Sequence, residues 1–320
     1  MPQKLTYLLL LLFSLTTALT GQISPLADQF LLNPFLTNPA MAGISPRAPL
    51  MISARQQWLG IKGAPLWQSA TWNTSLNSKK QHFNPRGFIN KGQNAFGNVG
   101  VGCGLFNISY GAISQVGIHL DYAYHVYLAK GRLSFGLAPF YQQFVINKSG
   151  FVTPDGSGTD PLIDGDAKEV VHFIDVNAGV HYFSDHMFAG FSAVQLLNSS
   201  VSFGDLSFPN ADNFSENPYL ARNFYLYGGW TPSIGKNLIL EPSVIVKYNG
   251  QSGFGFQVNM RATINGNFQA GLLYRYLESA GFMAGVTLGD LIVRYQFEAP
   301  LGTAVLNRFT TNQILIGYLF

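Results

Sequence analysis

The feature that most restricts what this chain can fold into is a two-residue alternation of apolar and polar side chains, repeated in blocks of about ten residues. From Val116 to Leu128, the residues Val116, Ile118, Leu120, Tyr122, Tyr124, Val126 and Leu128 fall on one face of an extended strand. Gln115, Gly117, His119, Asp121, Ala123 and His125 fall on the other. In a soluble sandwich the second set would carry two histidines and an aspartate toward a core. In a barrel wall it faces the lumen, and the apolar set faces lipid.

The pattern recurs around Leu238, Leu240, Val244, Val246 and Tyr248 against Glu241, Ser243 and Lys247. It recurs again around Phe268, Ala270, Leu272, Tyr274 and Tyr276 against Gln269 and Arg275. About fourteen such segments are expected, near 50–58, 66–75, 97–107, 112–128, 131–145, 172–183, 186–196, 222–231, 238–248, 253–264, 267–277, 281–288, 291–298 and 311–320. An even number of antiparallel strands is what bacterial outer-membrane barrels use. Such barrels also alternate short periplasmic turns with longer outer loops. Here the links Ala129 to Lys130, Ser184 to Asp185, Pro232 to Asn237, Asn265 to Gly266 and Gly289 to Asp290 follow even-numbered segments, and the long links 146–171, 197–221 and 299–310 follow odd-numbered ones, although the odd-numbered links after Tyr248 and Leu277 are short too. That parity places both termini in the periplasm.

Composition agrees. The chain of 320 residues is 47% hydrophobic but only 11% charged, where roughly 25% charged is usual for a soluble protein. A large part of its surface must meet something other than water. The formal net charge of +3, with no basic cluster interleaved with stacking aromatics, argues against a nucleic-acid partner. One cysteine, Cys103, excludes an intramolecular disulfide framework and a multi-cysteine metal site.

Residues 1–21 read as a secretory signal, with Lys4 at its positive start, Leu5 to Leu12 as its apolar core and a small-residue exit to a cleavage point between Leu19 and Gln22. No later apolar run approaches the ~20 residues a transmembrane helix needs. The remainder divides into an N-terminal segment, 22–48, and a barrel, 49–320. The barrel ends in Ile314, Ile316, Tyr318 and Phe320 on one face. The terminal Phe320, with Tyr318 two residues before it, resembles the signal read by outer-membrane insertion machinery.

One connection breaks the parity. Residues 77–96 fall on the periplasmic side yet are long and basic, with Lys79, Lys80, Arg86 and Lys91 and no acid, while the outer loops carry Asp155, Asp160, Asp164, Asp166 and Glu169, then Asp205, Asp212 and Glu216. Two readings fit: the first two strands are threaded differently, or the basic loop is an inward docking surface.

The segment before the first strand is unlike the rest. Its two Asn-Pro pairs, Asn33-Pro34 and Asn38-Pro39, force bends. Its Phe30, Leu31, Leu32, Phe35, Leu36 and Met41 need burial, which the barrel mouth can supply. Gln29, Phe30, Asn33, Pro34, Asn38, Pro39, Ala40, Ala42 and Gly43, followed by Arg55, Gln57, Trp58, Gly60 and Gly63-Ala64-Pro65, resemble the opening of the PorP/SprF family of type IX secretion proteins. Met41 stands where an aromatic residue is usual. The resemblance implies a non-enzymatic outer-membrane component of the type IX system of Bacteroidota, linked to gliding motility. It also implies two kinds of protein partner: a secreted cargo with a C-terminal sorting domain, such as an adhesin, and periplasmic components of the machinery. Outer-membrane lipid is the third partner, and no cofactor is expected. A passive channel for small or hydrophobic solutes, built on the same barrel, is the alternative.

Other chemistry is weaker. His119, Asp121, His125, Asp175 and His181 are the candidates for a hydrolase, but they share the polar, inward face, where pairing with Arg132, Arg261, Arg275, Arg294, Glu241 or Glu298 explains them. The stretch Asp155 to Asp166 lacks the glycine an EF-hand loop requires, and no metal-ligand spacing is present. Gly100, Gly102 and Gly104 strip one strand face of side chains, so another backbone can approach there. Either the 22–48 segment or a partner strand lies there, or the bare face is only a bend in the wall.

Overall fold

The computed structural model describes residues 29–76, 98–128, 131–148, 168–197, 221–235, 237–250, 253–301 and 309–320. The signal region, the basic loop with Lys79, Lys80, Arg86 and Lys91, and the acidic stretch 155–166 lie outside the described residues. The strands are β1 Pro49–Gln56, β2 Leu66–Leu76, β3 Val99–Tyr110, β4 Ile113–Leu128, β5 Gly131–Asn147, β6 Lys168–Ser184, β7 Met187–Val194 and β8 Asn223–Trp230. They continue with the two-residue β9 Ser233–Ile234, β10 Leu238–Asn249, β11 Gly253–Ile264, β12 Phe268–Arg275, β13 Ser279–Leu288, β14 Leu291–Pro300 and β15 Thr311–Leu319.

Each long strand pairs antiparallel with the next, and β1 pairs with β15, from Pro49 opposite Leu319 to Gln56 opposite Asn312. The fourteen long strands therefore close into a barrel, while β9 only pairs Ser233 and Ile234 with Ile239 and Leu238. Closure removes every sheet edge, which is what allows a β-structure to stand in lipid with its backbone groups satisfied. Among the described residues no helix is long and apolar enough to cross a membrane.

The wall is inverted relative to a soluble protein. All seven apolar residues of the alternating set on β4 are exposed, while Asp121 and His125 are buried. The same holds on β15, where Ile314, Ile316 and Tyr318 are exposed and Gln313 and Leu315 buried. A face rich in exposed Leu, Ile, Phe and Tyr would be an aggregation surface in water, but it is the ordinary lipid face of an outer-membrane barrel. Since ~9–11 tilted residues cross the hydrocarbon, the 17-residue β5 and β6 reach well beyond it.

Turn chemistry fits the tight connections. In the three-residue link between β11 and β12, Asn265 and Gly266 both have positive φ, 53° and 73°, a backbone that Asn and Gly adopt more readily than other residues.

Several boundaries differ from expectation by two residues or more, and two of them show why. β1 stops at Gln56, two residues short of Trp58, because the chain turns there: the Gln57 amide bonds to the Pro65 carbonyl at 2.9 Å and Trp58 has φ 50°. β6 begins at Lys168 rather than 172, because its first residues pair with the far end of β5, Lys168 opposite Asn147. The first two strands are threaded as expected: β2 lies between β1 and β3. The basic connection therefore departs from the end of the barrel that also holds Pro49 and Leu319.

Candidate plug site in the barrel lumen

A barrel of eight strands is filled by its own side chains, and one of sixteen to eighteen leaves an aqueous channel. At fourteen strands, wall side chains alone leave space. In this protein that space is taken by residues 29–44, almost all of them buried, with Gln29, Leu32, Asn38, Ala40 and Ala42 at 0% exposure. The segment folds locally because of its prolines. Pro34 and Pro39 each open a short 3-10 turn, Pro34–Thr37 and Pro39–Met41, with a proline at the position where no amide is needed. Asn38 caps the second turn, its Oδ1 accepting the Ala40 amide at 2.8 Å.

Asn38 is also the best-anchored residue. Its Nδ2 donates to the carbonyls of Val180 on β6 (3.1 Å) and Phe191 on β7 (3.2 Å), and to the Tyr227 hydroxyl on β8 (3.0 Å). The Asn33 Nδ2 donates to the Thr71 hydroxyl (2.9 Å), and Gln29 Oε1 accepts from Gln313 (3.1 Å) and Ser53 (3.3 Å). The wall reaches the segment's main chain as well. Arg261 and Arg294 donate to the carbonyls of Leu31 (3.4 Å) and Leu32 (2.5 Å), Ser192 donates to that of Thr37 (2.6 Å), and Asn73 accepts from the Gly43 amide (3.1 Å).

Apolar packing completes the contact. Leu31 and Leu32 cluster with Leu273, Met283, Ile292 and Leu315. Phe30 sits 4.9 Å from the Tyr227 ring and clusters with Ile245. Phe35 clusters with Ala123, and Met41 packs against both groups, so the thioether fills the place of the usual aromatic.

Glycines make the close approach possible. A Cβ at Gly100 would strike the Ala42 carbonyl, and one at Gly102 the Phe35 ring. Gly104 differs from expectation: a Cβ there would meet the His119 ring, so it makes room for a wall side chain and not for the segment. Sequence reasoning missed Gly136 and Gly179. They are register partners on β5 and β6, and a Cβ there would collide with Pro39-Ala40 and with the Asn38 carboxamide. The signal was present, since both are mid-strand glycines on the polar face, like Gly100 and Gly102.

The motif after the segment is split by the fold. Arg55 points inward, buried, and forms an ion pair with Glu298, which also binds Arg275 at 3.0 Å and the Ser279 hydroxyl at 3.2 Å. Gln57 and Trp58 instead sit in the β1–β2 connection, which the Leu59 amide ties to Thr310 at 2.9 Å. This lies at the end opposite Gly43, so the structure does not bring these two residues together with Asn33, Pro34 or Gly43. Tyr318 and Phe320 lie on the exposed face, with rings 4.9 Å apart.

The residues considered for hydrolysis are wall polarity. His119 pairs with Asp121 at 2.7 Å, His125 with Ser134 at 2.7 Å and His181 with Tyr227 at 2.9 Å. Asp175 accepts the Val176 and Leu197 amides at 2.7 and 2.8 Å. Arg261 meets Glu241 at 2.5 Å. Among the described residues no group of three metal-ligating side chains converges.

A closed, lipid-faced wall around a buried segment defines an outer-membrane β-barrel with an occupied lumen. Within that class the chain belongs to a specific family. The family model described as type IX secretion system membrane protein PorP/SprF matches residues 19–318, so the chain is a member of the PorP/SprF family. No curated protein matches the sequence. Among solved structures, the toluene transporter TbuX of Ralstonia pickettii is 10% identical, with TM-score 0.51 and 95% of each chain covered. Omp33 of Acinetobacter baumannii is 7% identical, with TM-score 0.47, covering 87% of this chain and 100% of that one. A FadL homologue of Pseudomonas aeruginosa is 9% identical, with TM-score 0.45, covering 94% and 96%. At such identities the likeness to TbuX shows a shared barrel fold and nothing of substrate.

Proposed function

We propose that this protein is a non-enzymatic outer-membrane component of the type IX secretion system. In this role it serves the secretion or surface attachment of a cargo protein with a C-terminal sorting domain, such as an adhesin, and contacts periplasmic machinery. The observation that carries this reading is membership of the PorP/SprF family across residues 19–318. The filled lumen supports it: a segment held by this many anchors suits a component that holds a protein partner better than one that passes solutes freely. In this reading residues 1–21 are removed on export, and residues 22–48 form a plug. The chain's two ends face the periplasm, and Lys79, Lys80, Arg86 and Lys91 offer a basic surface to an acidic periplasmic partner.

The test is affinity isolation of the tagged barrel from outer membranes in mild detergent, with mass spectrometry of what accompanies it. Recovery of a large secreted protein or of periplasmic type IX components is expected. The barrel alone, conducting ions in a bilayer, would favour the alternative, a passive channel for small or hydrophobic solutes.

A further inference from the structure

We infer that the lumen is a polypeptide-binding site and that residues 29–44 are its resident, exchangeable ligand. The wall is a complete structure by itself, since every long strand pairs with two neighbours without help from the segment. The segment's anchors described above run from side chain to side chain or from side chain to backbone. No strand-like ladder is needed to seat it.

The wall's contacts have the chemistry of peptide recognition. Arg261, Arg294, Ser192 and Asn73 all reach main-chain groups: three successive or nearby carbonyls and one amide. Any polypeptide offers those groups. Selectivity then comes from the ligand's own side chains. The Asn38 carboxamide reads two wall carbonyls and a tyrosine hydroxyl, and phenyl and isobutyl groups fill the apolar clusters. A floor of glycines lets a main chain lie against the wall. Backbone contacts for affinity and side-chain pockets for specificity are how peptide sites work in general. The ligand class is thus a short polypeptide with an Asn-Pro turn flanked by Phe and Leu. The inference rests on lumen contacts and stands whether or not the chain serves secretion.

To test it, a specific protease site is inserted after Pro46 in the full chain, and the folded barrel is cut in detergent. A fluorescent peptide spanning 29–44 is then offered. We expect the cut segment to leave slowly while the barrel keeps its β-sheet circular dichroism and heat-modifiable gel migration. The labelled peptide should rebind saturably, and a peptide carrying Asn38→Ala should bind at least tenfold more weakly. A second, uncut variant, Gly136→Val, should expel the segment from an otherwise folded chain and expose 29–44 to protease. The inference is overturned if loss of the cut segment unfolds the barrel, if labelled peptide does not rebind, or if the Asn38→Ala peptide binds as well as the parent.

Discussion

The outer face of the barrel and the segment inside it use the same apolar residue types and are held by different physics. On β4, Leu120 and its neighbours meet lipid, and their strand is fixed by backbone pairing to β3 and β5. Inside, Leu31, Leu32, Phe30 and Phe35 pack into small apolar clusters set among polar lumen residues, and the segment that carries them is held by those clusters and by side-chain hydrogen bonds. A change on the outside therefore tests whether the barrel stands, and a change on the inside tests whether it stays filled.

Four substitutions separate the two. Glu298→Ala removes the buried carboxylate that Arg55 and Arg275 share, and although Arg275 keeps Glu278 at 3.4 Å, breaking such a buried network costs about 3–5 kcal/mol. Urea unfolding in liposomes should show that loss. Leu120→Arg puts a charge on the lipid face near the middle of β4, where the cost is about 2–4 kcal/mol. It should impair insertion into liposomes while leaving the segment's protection in the inserted fraction unchanged. Asn38→Ala leaves two wall carbonyls and Tyr227 without that partner, about 1–3 kcal/mol, and should raise proteolysis of 29–44 with little change in barrel unfolding. Arg47→Ala removes a partly exposed pair with Asp290 and should change unfolding by only about 0–1 kcal/mol. Equal effects of Asn38→Ala on the segment and on the barrel would erase the distinction.

Much of the wall was legible in the sequence, because period-two alternation is written by the two environments a barrel strand meets. All seven outward residues of β4 and the antiparallel order of the long strands follow from it. What failed were ends: Trp58 reads as strand but turns, since nothing in alternation encodes a positive φ. The segment's need for burial was also readable from the apolar residues on either side of its two Asn-Pro breaks. Its partners were not. Tyr227 lies 189 residues from Asn38, and such contacts depend on strand tilt and register around the whole barrel, which local patterns do not carry. Gly104 shows the same limit: identical in pattern to Gly100 and Gly102, it faces a histidine ring because His119 is its register partner on β4.

The central claim is that this barrel is filled by its own N-terminal segment, and conductance in planar lipid bilayers tests it most directly. The intact chain should be silent, and Gly136→Val, which displaces Pro39 and Ala40 from the wall, should conduct. Steady ohmic current through the intact chain, unchanged by Gly136→Val, would contradict the account.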